Sequence, residues 1–403
     1  MKKLITTTLA LIATMSISSQ TMDIYRGDTL VATFTEERAN KVVFRERNAN
    51  DDAASQDASS FKFIHISDSH GNTLGTQKAQ EFADGDNKID FMFNTGDFML
   101  FNSGIVDPTF YEKFAADKRW LMTVGNHDLD NPFYTATATF TQMTRPLIGD
   151  RVMFGDTSGN ASYWYKDMNL RGNMLRIIGL DEYDYINNDD RYAQWSEAYS
   201  EKQINWLIDL LRNTPQDYYI IVAHHTPHGQ RTTSGRSTYN GVENIFTSSG
   251  APANYCNNND DGEPAVGTAW NSNMICEILD KYLNKGVFEG TWNKGNKAGE
   301  TYTFNESFAD VTPAHFICHI CGDAHWDICE YIENYPQQLQ LAIDCDQDSR
   351  DNHSDCDRGA EGYLFNEVSV DFLKKQLTIK RHGTHVTKDG KEKTSITFDV
   401  KTM

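Results

Sequence analysis

Asp68 and His70 stand one residue apart where an apolar run, Phe61 to Ser67 (FKFIHIS), gives out. A carboxylate and an imidazole so spaced suit a divalent metal. The pattern of apolar run followed by polar cluster recurs. Ile89 to Asn94 (IDFMFN) leads into Gly96 and Asp97, and Trp120 to Val124 (WLMTV) leads into Gly125, Asn126, His127 and Asp128. Tyr218 to Ala223 (YYIIVA) ends at His224 and His225, and His315 to Cys321 (HFICHIC) ends at Gly322, Asp323 and His325. Each run is short and rich in β-branched and aromatic residues, which reads as a buried strand. In α/β proteins the carboxyl ends of strands open on the ligand crevice, so five such ends bring one set of ligands together.

The ordered set D-x-H, G-D, G-N-H-D, H-H and G-D-x-H closely resembles the calcineurin-like metallophosphoesterase family, over roughly residues 61 to 385. The resemblance implies an α/β fold, a four-layer sandwich of two mixed β-sheets flanked by helices, with two divalent metal ions at the strand ends. Carried over by position, Asp68, His70 and His325 hold the first metal, Asp97 bridges, and Asn126, His224 and Asp323 complete the second. His127 faces the leaving group, with Asp128 orienting it. The family's last motif has His where this chain has Asp323, and a hard anionic ligand favours Mn, Mg or Ca over Zn, with Fe also open. The implied reaction is hydrolysis of a phosphate monoester or small phosphodiester by a metal-bridged hydroxide, His127 giving a proton to the departing alkoxide. A metal-dependent binding protein or a surface interaction protein on the same fold is the alternative. His225 and His228 follow His224 in HHTPH and are placed to reach a bound phosphate, whereas His65 and His319 lie inside apolar strands and read as core histidines.

The elements around these strand ends are legible in part. Lys2 and Lys3 precede an uncharged stretch, Leu4 to Ile17, with small residues at Ser16 and Ser18; residues 1–19 read as an export signal, and the protein is expected to be periplasmic or extracellular, with no stable membrane insertion. Residues 20–46 alternate around Gly27 and Asp28 as a small β-rich module, a hairpin and a third short strand at Val42 to Phe44. Residues 47–60 carry no apolar periodicity and read as a linker into a domain spanning 61–403. Apolar residues at helical spacing mark helices at Thr109 to Ala116, at Lys202 to Leu211 and around Met274 to Leu283. Asp181 and Glu182, at another strand end, read as turn residues, with a contact to the substrate or to a metal-holding residue as the alternative. Asn284 to Asn305 reads as a surface hairpin, and strands at Glu367 to Phe372, Gln376 to Arg381 and Ser395 to Val400 are expected to finish the second sheet.

Hydrophobic residues make up 39% of the 403, enough for one large core. A formal net charge of -20 disfavours nucleic acid, whose binding draws on Lys and Arg, and leaves a small phosphoester as the expected partner. Gly229 to Gly267 is long, polar and adjacent to the histidines, in the position of a substrate-facing lid. Asp344 to Asp357 crowds carboxylates but lacks the Gly and Glu of a calcium loop, and Cys345 and Cys356 flank it as a candidate disulfide.

Overall fold

The computed structural model describes residues 21–26, 29–35, 59–70, 73–86, 88–98, 116–129, 145–156, 161–184, 199–228, 230–231, 237–238, 272–293, 301–323, 328–332, 334–343, 363–383 and 395–403. The export segment, the linker up to residue 58, the Thr109 helix up to residue 115, most of the Gly229–Gly267 stretch, the acidic loop and the strand at Val42 lie outside them, and Ser60, the last linker residue, already belongs to the first strand of the larger unit. Two units separate, residues 1–55 and 56–403. In the first, β1 (Thr21–Arg26) and β2 (Thr29–Thr35) pair antiparallel as the expected hairpin.

The second unit runs β3 (Ser60–Ile66), α1 (Thr73–Gly85), β4 (Ile89–Asn94), β5 (Trp120–Met122), α2 (Asn126–Leu129) and α3 (Arg145–Ile148). Then come β6 (Met153–Phe154), β7 (Trp164–Leu170), β8 (Asn173–Gly179), α4 (Glu201–Arg212), β9 (Tyr218–Ala223), β10 (Gln230–Arg231), β11 (Ser237–Thr238) and α5 (Ser272–Leu283). The chain ends with β12 (Val287–Asn293), β13 (Thr301–Ser307), β14 (His315–Cys321), β15 (Ile328–Tyr331), β16 (Leu339–Ala342), β17 (Leu364–Asp371), β18 (Gln376–Gly383) and β19 (Ser395–Asp399).

Two large sheets result. One has six strands in the order β19-β18-β17-β3-β4-β5, the other seven in the order β15-β16-β14-β9-β8-β7-β6. Both are mixed: β3, β4 and β5 are mutually parallel while β17 lies antiparallel to β3, and β8, β9, β14 and β16 are parallel between antiparallel flanks. The last three strands therefore extend the sheet that carries Asp68 and do not complete the other one.

Side chains alternate across these strands and build four layers. Phe61, Phe63, Phe91 and Phe93 of the six-stranded sheet meet Ile177, Ile221, Ile317 and Leu339 of the other in the core between the sheets. On the outer face of the seven-stranded sheet, Ile178, Ile220, Val222 and Phe316 pack under Ile204, Leu207 and Leu211 of α4 and Met274, Ile278 and Leu279 of α5. On the outer face of the six-stranded sheet, Ile64, Ile66 and Met92 meet Ala79 and Ala83 of α1. Ser200 caps α4 by accepting from the Gln203 N–H at 3.1 Å. The β12–β13 hairpin is not a surface feature throughout: Phe288, Trp292, Tyr302 and Phe304 bury one of its faces in the α5 layer.

Candidate metal centre

At the carboxyl ends of β3, β4, β9 and β14 and the start of α2, polar residues replace the core. Asp68, Asp97, Asn126, His225 and Asp323 are each no more than 6% exposed, and His70 is 5% exposed. The backbone is held unusually there. Asp68, His70, Asp97 and Asp323 have φ of 52°, 44°, 56° and 57°, in the left-handed region that costs a side-chain-bearing residue about 1–2 kcal/mol. These are four of the seven non-glycine residues with positive φ among those described, so strain is concentrated at one place. Close approach also explains two motif glycines. A Cβ on Gly125 would overlap the Asp97 carboxylate, and one on Gly322 would overlap Ser67 and the Asp68 carboxylate.

Main-chain bonds lock the strand ends together. The Asp68 N–H donates to the Gly96 carbonyl at 3.1 Å and the His70 N–H to the Asp97 carbonyl at 2.9 Å. Asp68 Oδ2 accepts from the Asp323 N–H at 2.9 Å, which ties the two sheets. Asp128 braces two turns, accepting from the Asp97 and Gly125 N–H groups at 3.0 and 2.8 Å on Oδ2 and from Phe98 N–H at 2.9 Å on Oδ1. These three bonds go to the loops that carry Asp97 and Asn126. The side chain of His127 and all of His325 lie outside the described residues.

Asp97 sits between two groups of side chains. Its Oδ2 lies 3.2 Å from His70 Nε2, and Asp68 Oδ1 lies 3.8 Å from the same nitrogen. Its Oδ1 lies 3.3 Å from His225 Nε2, which is also 3.2 Å from Asn126 Oδ1 and 3.6 Å from Asp323 Oδ1. His225 Nδ1 faces the Thr95 carbonyl at 2.7 Å and must donate there, so Nε2 is the nitrogen that faces the centre, donating to its oxygens when the ring is protonated and offering its lone pair to a metal when the ring is neutral. Three oxygens, from Asp97, Asn126 and Asp323, thus gather around one imidazole nitrogen, an arrangement that calls for positive charge, a proton on the ring or a metal ion. The electrostatics agree. Burial disfavours charge on His70, yet Asp68 and Asp97 raise its pKa to about 9. Burial opposes charge on His225 as well, and Asp97, with Asp68 and Asp323, holds it well above the ordinary imidazole range. The donor set of carboxylates, imidazoles and one amide oxygen fits divalent metal ions, and Asp68, His70 and Asp97 bring ligand atoms within 4.8 Å of one another.

The structure brings together Asp68, His70, Asp97, Asn126 and Asp323, with Asp128 as their brace. It turns His224 the other way. Ala223 packs between the sheets and Val222 on the outer face, so His225 continues toward Asp97 and His224 toward the α5 layer. The period-two pattern of YYIIVAHH carries that signal, and position in the motif alone does not. Glu182 does more than turn the chain: its Oε2 accepts from the N–H groups of His225 and Thr226 at 2.9 and 2.8 Å, and so positions His225.

Residues 61–255 match the family model described as calcineurin-like phosphoesterase. No curated protein matches the chain. Solved structures that resemble it include a predicted phosphoesterase from Streptococcus pneumoniae, 10% identical, covering 84% of this chain and 97% of its own, with a TM-score of 0.29. A phosphatase from Mycoplasma pneumoniae is also 10% identical, over 84% of this chain and 93% of its own, with a TM-score of 0.35. Phosphopantetheinyl hydrolase from Mycobacterium tuberculosis is 8% identical, over 72% and 91%, with a TM-score of 0.30. Residues 61–255 form a calcineurin-like phosphoesterase domain.

Proposed function

We propose that this protein hydrolyses a phosphate monoester or small phosphodiester at a two-metal centre, outside the cytoplasm. The placement of Asp97 carries the reading: one carboxylate oxygen faces His70 at 3.2 Å and the other faces His225 at 3.3 Å, as a ligand shared between two ions requires. Asp68 and His70, with His325, would hold the first ion. Asn126, His225 and Asp323 would hold the second, with His225 in the role that the motif order gives to His224. Divalent ions, when bound, supply charge neutralisation at phosphoryl oxygens and an acidified water.

The chain's own groups do the rest. Thr95 fixes the His225 tautomer so that Nε2 points at the centre, and Glu182 fixes the loop beneath it. Asp323 adds a third carboxylate and favours harder ions, Mn, Mg or Ca. Near-complete burial of the ligands strengthens each charge interaction with a bound phosphoryl group. His127, in the turn before Asp128, protonates the leaving alkoxide, a contribution typically worth about two to four orders of magnitude. The net charge of -20 favours a small substrate over nucleic acid, and the Lys2–Ile17 segment supports export.

The test is hydrolysis of a chromogenic phosphate monoester and its matching diester by the purified chain with added Mn, beside Asp97→Ala. Turnover that vanishes in the variant, together with loss of both metals, supports the reading. Turnover unchanged in Asp97→Ala removes it.

A further inference from the structure

Behind the Asp97 centre, on the outer face of the seven-stranded sheet, lies a second group of imidazoles. His224, His228 and His319 are fully buried, and one ligand atom from each lies within 4.8 Å of the others. The hydrogen bonds fix which nitrogens are committed. His224 Nδ1 faces the Thr226 carbonyl at 2.8 Å and must donate to it, so its Nε2 carries the lone pair. Gln338 Nε2 donates to the Cys276 carbonyl at 2.7 Å, which leaves Gln338 Oε1 to accept from His319 Nε2 at 3.0 Å. His319 Nδ1 therefore carries a lone pair as well. It lies 3.3 Å from the lone pair of His224 Nε2, an acceptor facing an acceptor in the protein interior. His228 Nε2 is taken up by the Tyr199 hydroxyl at 2.9 Å, whose proton goes to Glu182 at 2.9 Å. Its Nδ1 is buried with no hydrogen-bond partner.

We propose that His224, His228 and His319 form a second, buried metal site that takes a borderline transition ion, zinc foremost, independently of the Asp97 centre. Each imidazole shows what a ligating histidine needs, one nitrogen donating to an outer partner and the other left for the ion. Three neutral nitrogens without a carboxylate select Zn, Co or Ni over Mg or Ca, the reverse of the Asp-rich centre on the inner side of the strands. An ion relieves the repulsion between the His224 and His319 lone pairs and gives His228 Nδ1 its partner. No further His, Cys, Asp or Glu among the described residues joins the group, so a tetrahedral ion keeps one position for water. One rearrangement is required. The rings of His224 and His228 stack 3.7 Å apart and 5° from parallel, with His319 edge-on to both, and the stack must open by a tilt of His228 for both nitrogens to aim at one ion.

The experiment counts zinc in the full chain carrying Asp97→Asn, which cripples the other centre, after loading with zinc and a brief wash with chelator. One zinc per chain is expected, falling to none when His228→Leu is added. A folded Asp97→Asn chain that retains no zinc overturns the proposal, as does zinc content unchanged by His228→Leu. Should the double variant fail to fold, Co(II) substitution in the Asp97→Asn chain decides. Intense visible d–d bands of a four-coordinate, nitrogen-ligated ion support the site, and their absence from a folded chain rejects it.

Discussion

His225 is the residue on which the centre turns, because it is the imidazole that the second sheet sends to Asp97. Its Nε2 meets Asp97, Asn126 and Asp323 within 3.6 Å, while Thr95 holds the opposite nitrogen. His225→Ala should therefore weaken metal binding and phosphoester turnover, by more than the roughly 10–100-fold in affinity that loss of a residue merely orienting a ligand costs, read by metal titration. Affinity within threefold of the parent would show that His225 is no ligand. His70 adds a pH dependence. Burial works against its charge, but Asp68 and Asp97 raise its pKa to about 9, so in the metal-free chain it keeps its proton through neutral pH. A metal must displace that proton. Apparent affinity should then rise about tenfold per pH unit up to about 9, and isothermal titration at several pH values reads the slope. A flat profile between pH 7 and 9 would contradict the arrangement.

Strand ends are legible where apolar runs stop at Asp, His or Gly, and on that pattern the sequence alone singles out Asp68, Asp97, Asn126 and Asp323, which the structure brings together. Which side of the strand a residue takes was harder to read. His224 and His225 differ by one step of a period-two pattern, and only the burial of Val222 and Ala223 on opposite faces fixes the phase. Helix α1 leaves little trace in the sequence because its buried stripe is thin, two alanines with Phe82, yet Phe82 seats it on Phe365 and His382 at 5.6 and 4.4 Å. β15 and β16 are four residues each, too short to show alternation. In the six-stranded sheet Glu367 of β17 joins three strands, accepting from Lys62 of β3 at 2.7 Å and from His382 of β18 at 3.0 Å. The His382 bond and then Lys62 hold its carboxyl at about 2 against the opposing effect of burial, below its ordinary 4.5. Its contribution is complete above pH 4.5 and is lost as pH falls through about 2. Glu367→Gln should cost on the order of 3 kcal/mol at pH 7 and almost nothing near pH 2, measured by urea unfolding. Equal losses at both pH values would mean that Glu367 acts through packing alone.

At the scale of the molecule, the centre is where polar groups tie the two sheets, as the Asp323 N–H does in donating to Asp68. β3 and β4 supply Asp68 and Asp97, and β9 and β14 supply His225 and Asp323, so ions bound among them cross-link the sandwich. Without ions, buried carboxylates face one another, and the positive charge that offsets them comes from His70 and His225. That substitute is pH-dependent. His70 has an ordinary value of 6.5 and a folded value of about 9, so its stabilisation of the metal-free chain is complete below 6.5 and fades as pH rises through 9. The metal-bound chain suffers no such loss, since its imidazoles are neutral ligands. Chelation should therefore lower the thermal midpoint at every pH, by about 5 °C for an ion held at a hundred times its Kd, and should lower it more at pH 9 than at pH 6. Calorimetry with and without chelator at the two pH values measures both effects. A midpoint indifferent to chelator, or a larger drop at pH 6, would mean that the two sheets are held at this end by packing, with the imidazoles and carboxylates neutralising one another.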